Sequence, residues 1–156
     1  MLKDETLGWE MEFKDVAGAV VSNHGVALLS EWVDPDNDAG RLWALWPDGR
    51  VVMKAEIPGS PTSIGIDIQG ELACCYAAHH TMVGRTRALD ATLFVFSLAT
   101  ASLLFRSNVW APMIERIERD GAAIVIVTKA HTYRFNEAGG LLGKESPGPS
   151  MFPRHP

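Results

Sequence analysis

Apolar and polar positions alternate along most of this chain in short runs, and each run is closed by a turn built on glycine. Val20-Val21-Ser22 leads into Asn23-His24-Gly25, Ile66-Asp67-Ile68 into Gln69-Gly70, and Ile117-Glu118 into Arg119-Asp120-Gly121. Alternation with a period of two marks a strand, and glycine supplies the positive φ that a tight turn demands. Each hairpin is followed by an aromatic strand: Leu42-Trp43-Ala44-Leu45-Trp46, Leu93-Phe94-Val95-Phe96 and Thr132-Tyr133-Arg134-Phe135. A turn and an apolar pair come next, Val51-Val52, Leu103-Leu104 and Leu141-Leu142. The interval from Leu42 to Leu93 equals that from Gly70 to Gly121, so a unit of about 50 residues recurs.

The pattern predicts four strands per unit: 16–22, 26–33, 41–46 and 50–57; 63–68, 71–78, 92–98 and 102–109; 114–118, 122–129, 132–135 and 141–143. Pro58-Gly59-Ser60-Pro61 and Pro112 separate the units. A helix competes at Met113–Glu118, where Ile114 and Ile117 are three apart, but Gly121 and the β-rich run after it favour a strand. The loop from His79 to Asp90, carrying Arg85 and Arg87, reads as the longest internal connection. Two strands are apolar on both sides, Leu42–Trp46 and Ala123–Val127, which suits a sheet sandwiched between sheets and places Trp43 and Trp46 in the core.

"LWALWPDGRVV" at residues 42–52 is similar to the third-to-fourth strand hairpin of quinoprotein-like and WD-repeat-like β-propeller blades. "IERIERDGAAIVIVT" at residues 114–128 resembles their first-to-second strand hairpin. The resemblance implies an all-β fold of three four-stranded antiparallel propeller-like blades over residues 1–145, with a Pro-rich tail at 146–156. No Trp-Asp pair ends a third strand, so the signature is degenerate. Three blades fall short of the four to eight that close a ring. The alternating Leu7, Trp9, Met11 and Phe13 would complete the third sheet, or two chains would pair into a six-bladed homodimer.

Composition narrows the function classes. A hydrophobic fraction of 47% suits a folded core, and no run of about 18 apolar residues offers a membrane span. The acidic start, Met1-Leu2-Lys3-Asp4-Glu5, is unlike a secretory signal, so a cytoplasmic location is expected. The formal charge of −5 disfavours nucleic acid and favours a basic protein partner. Adjacent Cys74 and Cys75 point to opposite faces of a strand, which suits packing and not a disulfide.

Candidate chemistry is sparse. Asp34, Asp36 and Asp38 followed by Gly40 resemble the start of a calcium loop, but Ala39 and Leu45 occupy the positions that need glycine and an acid. They read as a solvated acidic contact loop, with Trp32 at its entrance. His79 and His80 diverge on extended chain and form no zinc set by themselves. No Gly-x-Ser-x-Gly elbow, His-Glu-x-x-His or phosphate-cradling loop occurs, so neither catalysis, a metal nor a cofactor is expected. Trp110, at a unit junction, is a candidate interface anchor. The expected function is a non-catalytic module that occludes a basic partner, a toxin or effector, in the manner of an immunity protein. The partner-binding residues would be Asp34, Asp36, Asp38, Trp32, His79, His80, Arg85, Arg87 and Trp110. The alternatives are a homodimeric six-bladed scaffold with a small ligand in its channel, or a metal-dependent hydrolase using the histidines and the acidic loop.

Overall fold

Valine, isoleucine, leucine and aromatic residues fill the alternating runs, and they fold as strands that close into hairpins at the glycine turns. The computed structural model describes residues 2–4, 9–11, 16–34 and 39–146. Among these, all regular structure is β. Sheet 1 holds β3 (Val16–Val21), β4 (Ala27–Asp34), β5 (Ala39–Leu45) and β6 (Val51–Pro58). Sheet 2 holds β7 (Ser60–Ile66), β8 (Leu72–Val83), β9 (Thr86–Ser97) and β10 (Ser102–Ser107). Sheet 3 holds β11 (Ile114–Asp120), β12 (Ala123–Thr128), β13 (Thr132–Phe135) and β14 (Leu141–Glu145). Every sheet is an antiparallel meander in chain order, and none closes into a barrel. The expected three units of four strands are therefore present, and residues 114–120 are a strand, not a helix.

The sheets stack with their first strands side by side, β3 next to β7 and β7 next to β11. The Asn23 N–H donates to the Ile68 carbonyl across two hairpin turns (3.1 Å), and the Ile114 N–H donates to Ser63 Oγ (2.8 Å). Two apolar cores fill the intervals. Leu28, Leu42, Ala44, Met53 and Ile57 of sheet 1 meet Ile64, Cys75, Ala77, Phe94 and Phe96 of sheet 2. On the other face of sheet 2, Leu72, Cys74, Tyr76, Leu93 and Val95 meet Ile117, Ile124, Ile126, Tyr133 and Phe135 of sheet 3. Cys74 and Cys75 are thus divided between the two cores, as alternation requires. The close approach of sheets 1 and 2 depends on Gly59, at φ 114°, where a Cβ would lie 2.5 Å from the Ala78 carbonyl oxygen.

Four expectations need correction. The segment from His79 to Asp90 is not a loop: β8 and β9 continue as a paired hairpin from His79↔Asp90 to Val83↔Thr86. The N-terminal strand does not complete sheet 3, which has four strands of its own; β2 (Trp9–Met11) pairs instead with β1 (Leu2–Asp4). Leu7 and Phe13 lie outside the described residues. Trp46 is 41% exposed, because it is the last residue before the Pro47-Asp48-Gly49 turn and overhangs the sheet. Trp43 is half-buried on the outer face of sheet 1, turned away from sheet 2. Sheet 2 lies between the other two, while on the outer face of sheet 1 Leu29 and Leu45 are also buried. In β12, Ile124 and Ile126 face sheet 2, while Val125 lies between Glu118 and Arg134 across the ladder and shares their face.

Candidate binding face

Antiparallel meanders place alternate connections at opposite ends of a stack. One end of this stack holds the start of β7, the exits of β4, β8, β10 and β12, and the entry of β11. The candidates at Trp32, Asp34, His79, His80, Arg85, Arg87 and Trp110 all fall at that end, although they come from separate parts of the chain. Gly40 and Gly59 explain how sheets 1 and 2 approach there. A Cβ on Gly40 would lie 2.6 Å from Pro61 Cδ, and a Cβ on Gly59 would lie 3.0 Å from His79 Cβ. The strand position opposite Trp32 is Gly40, so Trp32 and His79 belong to one continuous edge. Asp36 and Asp38 lie outside the described residues, as does the tail at 147–156.

The individual environments differ. Trp32 is half-buried, and its buried indole N–H has no acceptor among the described residues. Asp34 is half-buried at the end of β4, opposite Ala39. The twelfth position of the calcium-loop pattern, Leu45, is fully buried at the end of β5. His79 is half-buried opposite Asp90, whereas His80 is exposed on the other face of β8 opposite Leu89. The two imidazoles diverge as extended geometry requires. Among the described residues, no group of three or more His, Cys, Asp or Glu side chains could hold a metal ion.

Beyond the ends of β7 and β10, the β8–β9 hairpin projects as a two-stranded arm. Its tip is a two-residue turn, Gly84-Arg85, with Gly84 at φ 64°. Arg85 and Arg87 are exposed on it, and Leu89 is 69% exposed at its base. Trp110 is 58% exposed on the connection from β10 to β11. Its carbonyl accepts a 2.6 Å hydrogen bond from the Tyr133 hydroxyl, and its ring meets His131 edge-on. Burial pushes the Tyr133 phenol above its ordinary range. The hydrogen bond to buried Tyr133 fixes the backbone that carries this exposed indole.

Two features escaped sequence reasoning. On the outer face of sheet 1, Glu31 is only 3% exposed. It accepts from Trp43 Nε1 (3.1 Å) and Arg41 Nη1 (3.4 Å), and Arg41 Nε also donates to Glu56 (3.0 Å). The Lys54 ammonium stands 5.1 Å from the Trp43 ring centre. The second feature is Arg106, which lies where two clefts join. Reactive cysteine chemistry has no support: burial pushes the Cys74 thiol up to about 12 and raises Cys75 as well. No helix among the described residues is long and apolar enough to cross a membrane.

No family model matches the chain, and no curated protein matches it. Among solved structures it is similar to a eukaryotic initiation factor, with a TM-score of 0.57 and 9% sequence identity. The match covers 88% of this chain and 34% of the other, so this chain spans about a third of that protein's length. The likeness is one of fold alone. A protein of unknown function from Bacteroides caccae aligns over 89% of this chain and 46% of its own, at 12% identity and a TM-score of 0.38. That score is too low to bear on the architecture.

Proposed function

We propose that the three sheets are blades of β-propeller type and that the chain is a non-catalytic binding module. It docks end-on against a basic partner protein and occludes it, as an immunity protein neutralises a toxin. The meander order, with first strands side by side, agrees with the blade resemblance of residues 42–52 and 114–128. The observation that carries the binding reading is the collection of Trp32, Asp34, the β8–β9 arm and exposed Trp110 at one end of the stack. The acidic loop at 34–38 and the formal charge of −5 supply the field that attracts a cationic surface. Trp110 supplies apolar area of the kind that anchors interfaces.

The test is capture from native lysate followed by mass spectrometry, using the unaltered chain, the triple variant Asp34→Asn, Asp36→Asn, Asp38→Asn, and Trp110→Ala. A partner retained by the unaltered chain should bind the triple variant more weakly, with a flatter dependence on salt. Trp110→Ala should weaken it by about tenfold. An affinity that all three share would exclude this end as the contact.

A further inference from the structure

Two clefts on the flank of the molecule meet at Arg106. One, of about 540 Å³, is polar and lined by His79, Asp90, Thr92, Arg106, Ser107 and Asn108. The other, of about 350 Å³, runs between sheets 1 and 2 and is mainly apolar, with Met53, Phe94, Phe96 and Leu103 in its walls and Arg106 at one end. Arg106 is exposed and has no ion-pair or hydrogen-bond partner among the described residues. The other charges of the apolar cleft are engaged: Glu56 is paired with Arg41, and the Lys54 ammonium stands over Trp43. In the polar cleft, Asp90 accepts the Ala91 N–H, and His79 lies across the ladder from it.

The backbone of β6 completes the groove. Met53, Lys54, Ala55 and Glu56 all line it, although consecutive side chains point to opposite faces of a sheet. What they share is the strand's edge. β6 pairs only with β5 among the described residues, so its outer edge presents unpaired N–H and C=O groups to the groove. Its walls therefore offer three complementary features in one place: a free strand edge, an apolar floor, and an unpaired guanidinium where the floor ends.

We propose that this groove binds an extended segment of a partner protein, with aliphatic side chains at alternate positions and an aspartate or glutamate at one end. The segment adds to sheet 1 as a fifth strand on β6. Its aliphatic side chains meet exposed Leu103 beside the edges of buried Phe94 and Phe96, and its carboxylate meets Arg106, which can take it in a forked pair of hydrogen bonds. The span from Met53 to Pro58 accommodates about five residues at roughly 3.4 Å each. Neither Asp34 nor Trp110 lines the groove, so this site and end-on docking stand or fall separately.

A phage-displayed library of random octapeptides, selected on the full chain, tests the site. Enriched peptides should carry an acidic residue beside alternating aliphatic ones, and their binding should weaken as salt rises. Arg106→Glu and Leu103→Asp change exposed side chains, and melting curves check that both variants fold. Each should weaken the selected peptide by at least roughly tenfold. Hydrogen exchange should show new protection confined to the β6 amides and none at Trp110. Absent enrichment, a basic consensus, binding indifferent to both variants, or protection elsewhere would each overturn the proposal.

Discussion

If the two cores bind three sheets into one cooperative body, damage to either core must lower the stability of the whole. Leu42 and Ile124 are fully buried, one in each core, on central strands of sheets 1 and 3 with sheet 2 between them. Leu→Ala or Ile→Ala at such sites costs about 3 kcal/mol, within a range of roughly 2–5, from lost transfer energy and the cavity left behind. With an unfolding entropy near 2.1 cal/mol/K per residue, 1 kcal/mol corresponds to roughly 3 °C in a chain of this size, so each melting point should fall by about 9 °C. The two sites share no core neighbour, and the double variant should lose the sum to within about 0.5 kcal/mol. That sum of about 6 kcal/mol is a large part of the roughly 5–15 kcal/mol available to a natural domain. Urea titration followed by tryptophan fluorescence and by circular dichroism measures it. The midpoint should move while the slope stays constant. Leu142→Ala, at an exposed position, serves as control and should change stability by less than about 0.5 kcal/mol. Two separate transitions, each sensitive to only one variant, would refute the layered cooperative body. So would a cost below about 1 kcal/mol at either site.

Cys74 and Cys75 should resist a thiol reagent at neutral pH until the chain unfolds; labelling at a rate independent of urea would contradict their division between the cores. The Cys74 thiol, up to about 12 when folded, keeps its proton at pH values where the unfolded thiol, near 8.5, has lost it, so stability falls as pH rises between those values. Cys74→Ala should therefore show a smaller loss between pH 7 and pH 10 in paired urea titrations. Tyr133→Phe removes the hydroxyl that holds the Trp110 carbonyl and should cost about 1 kcal/mol. The same variant should loosen Trp110, read as a drop in its fluorescence anisotropy against a background lacking the other tryptophans.

The parts of the fold that were legible in sequence are those where one physical demand governs each residue. The strands of sheet 2 must satisfy a core on each side, so Leu72-Ala73-Cys74-Cys75-Tyr76-Ala77 is apolar throughout, and the pattern is plain. The β8–β9 arm was misread because a ribbon projecting beyond its sheet has no core to face. Nothing there imposes alternation, and Arg85, Arg87 and Asp90 interrupt it freely. Its one signal was Gly84, which lies at the arm's tip with positive φ. Arg106 was missed for another reason. Within its own strand it is an ordinary polar position; its setting comes from the edge of β6, in a different sheet, and no local pattern encodes that meeting. The candidate residues are chosen one by one along the chain, whereas the placement of the described ones at one end depends on the stacking of the sheets.

The two outer faces of the stack bear on what this chain can pair with. A face meant to receive another sheet is apolar, because a dry interface leaves charges without solvent. Sheet 3 instead presents the Arg116–Glu118 and Arg134–Asp120 ion pairs on the side away from sheet 2. Sheet 1 carries Arg41 between Glu31 and Glu56 on its outer face, with Lys54 over Trp43, although Glu31, Leu29 and Leu45 on that face are already buried. Stacking the outer face of sheet 3 on a second copy would strip water from its two exposed ion pairs, at a desolvation cost that their mutual attraction repays only with excellent geometry. The end of the stack and the free edge of β6 need no such sacrifice. Exposed Trp110 gains from burial, and unpaired strand groups gain from a partner's backbone. The two proposed contacts, at the end and on the flank, therefore carry a smaller desolvation cost than stacking on sheet 3, because they use aromatic surface, a free edge and an exposed guanidinium.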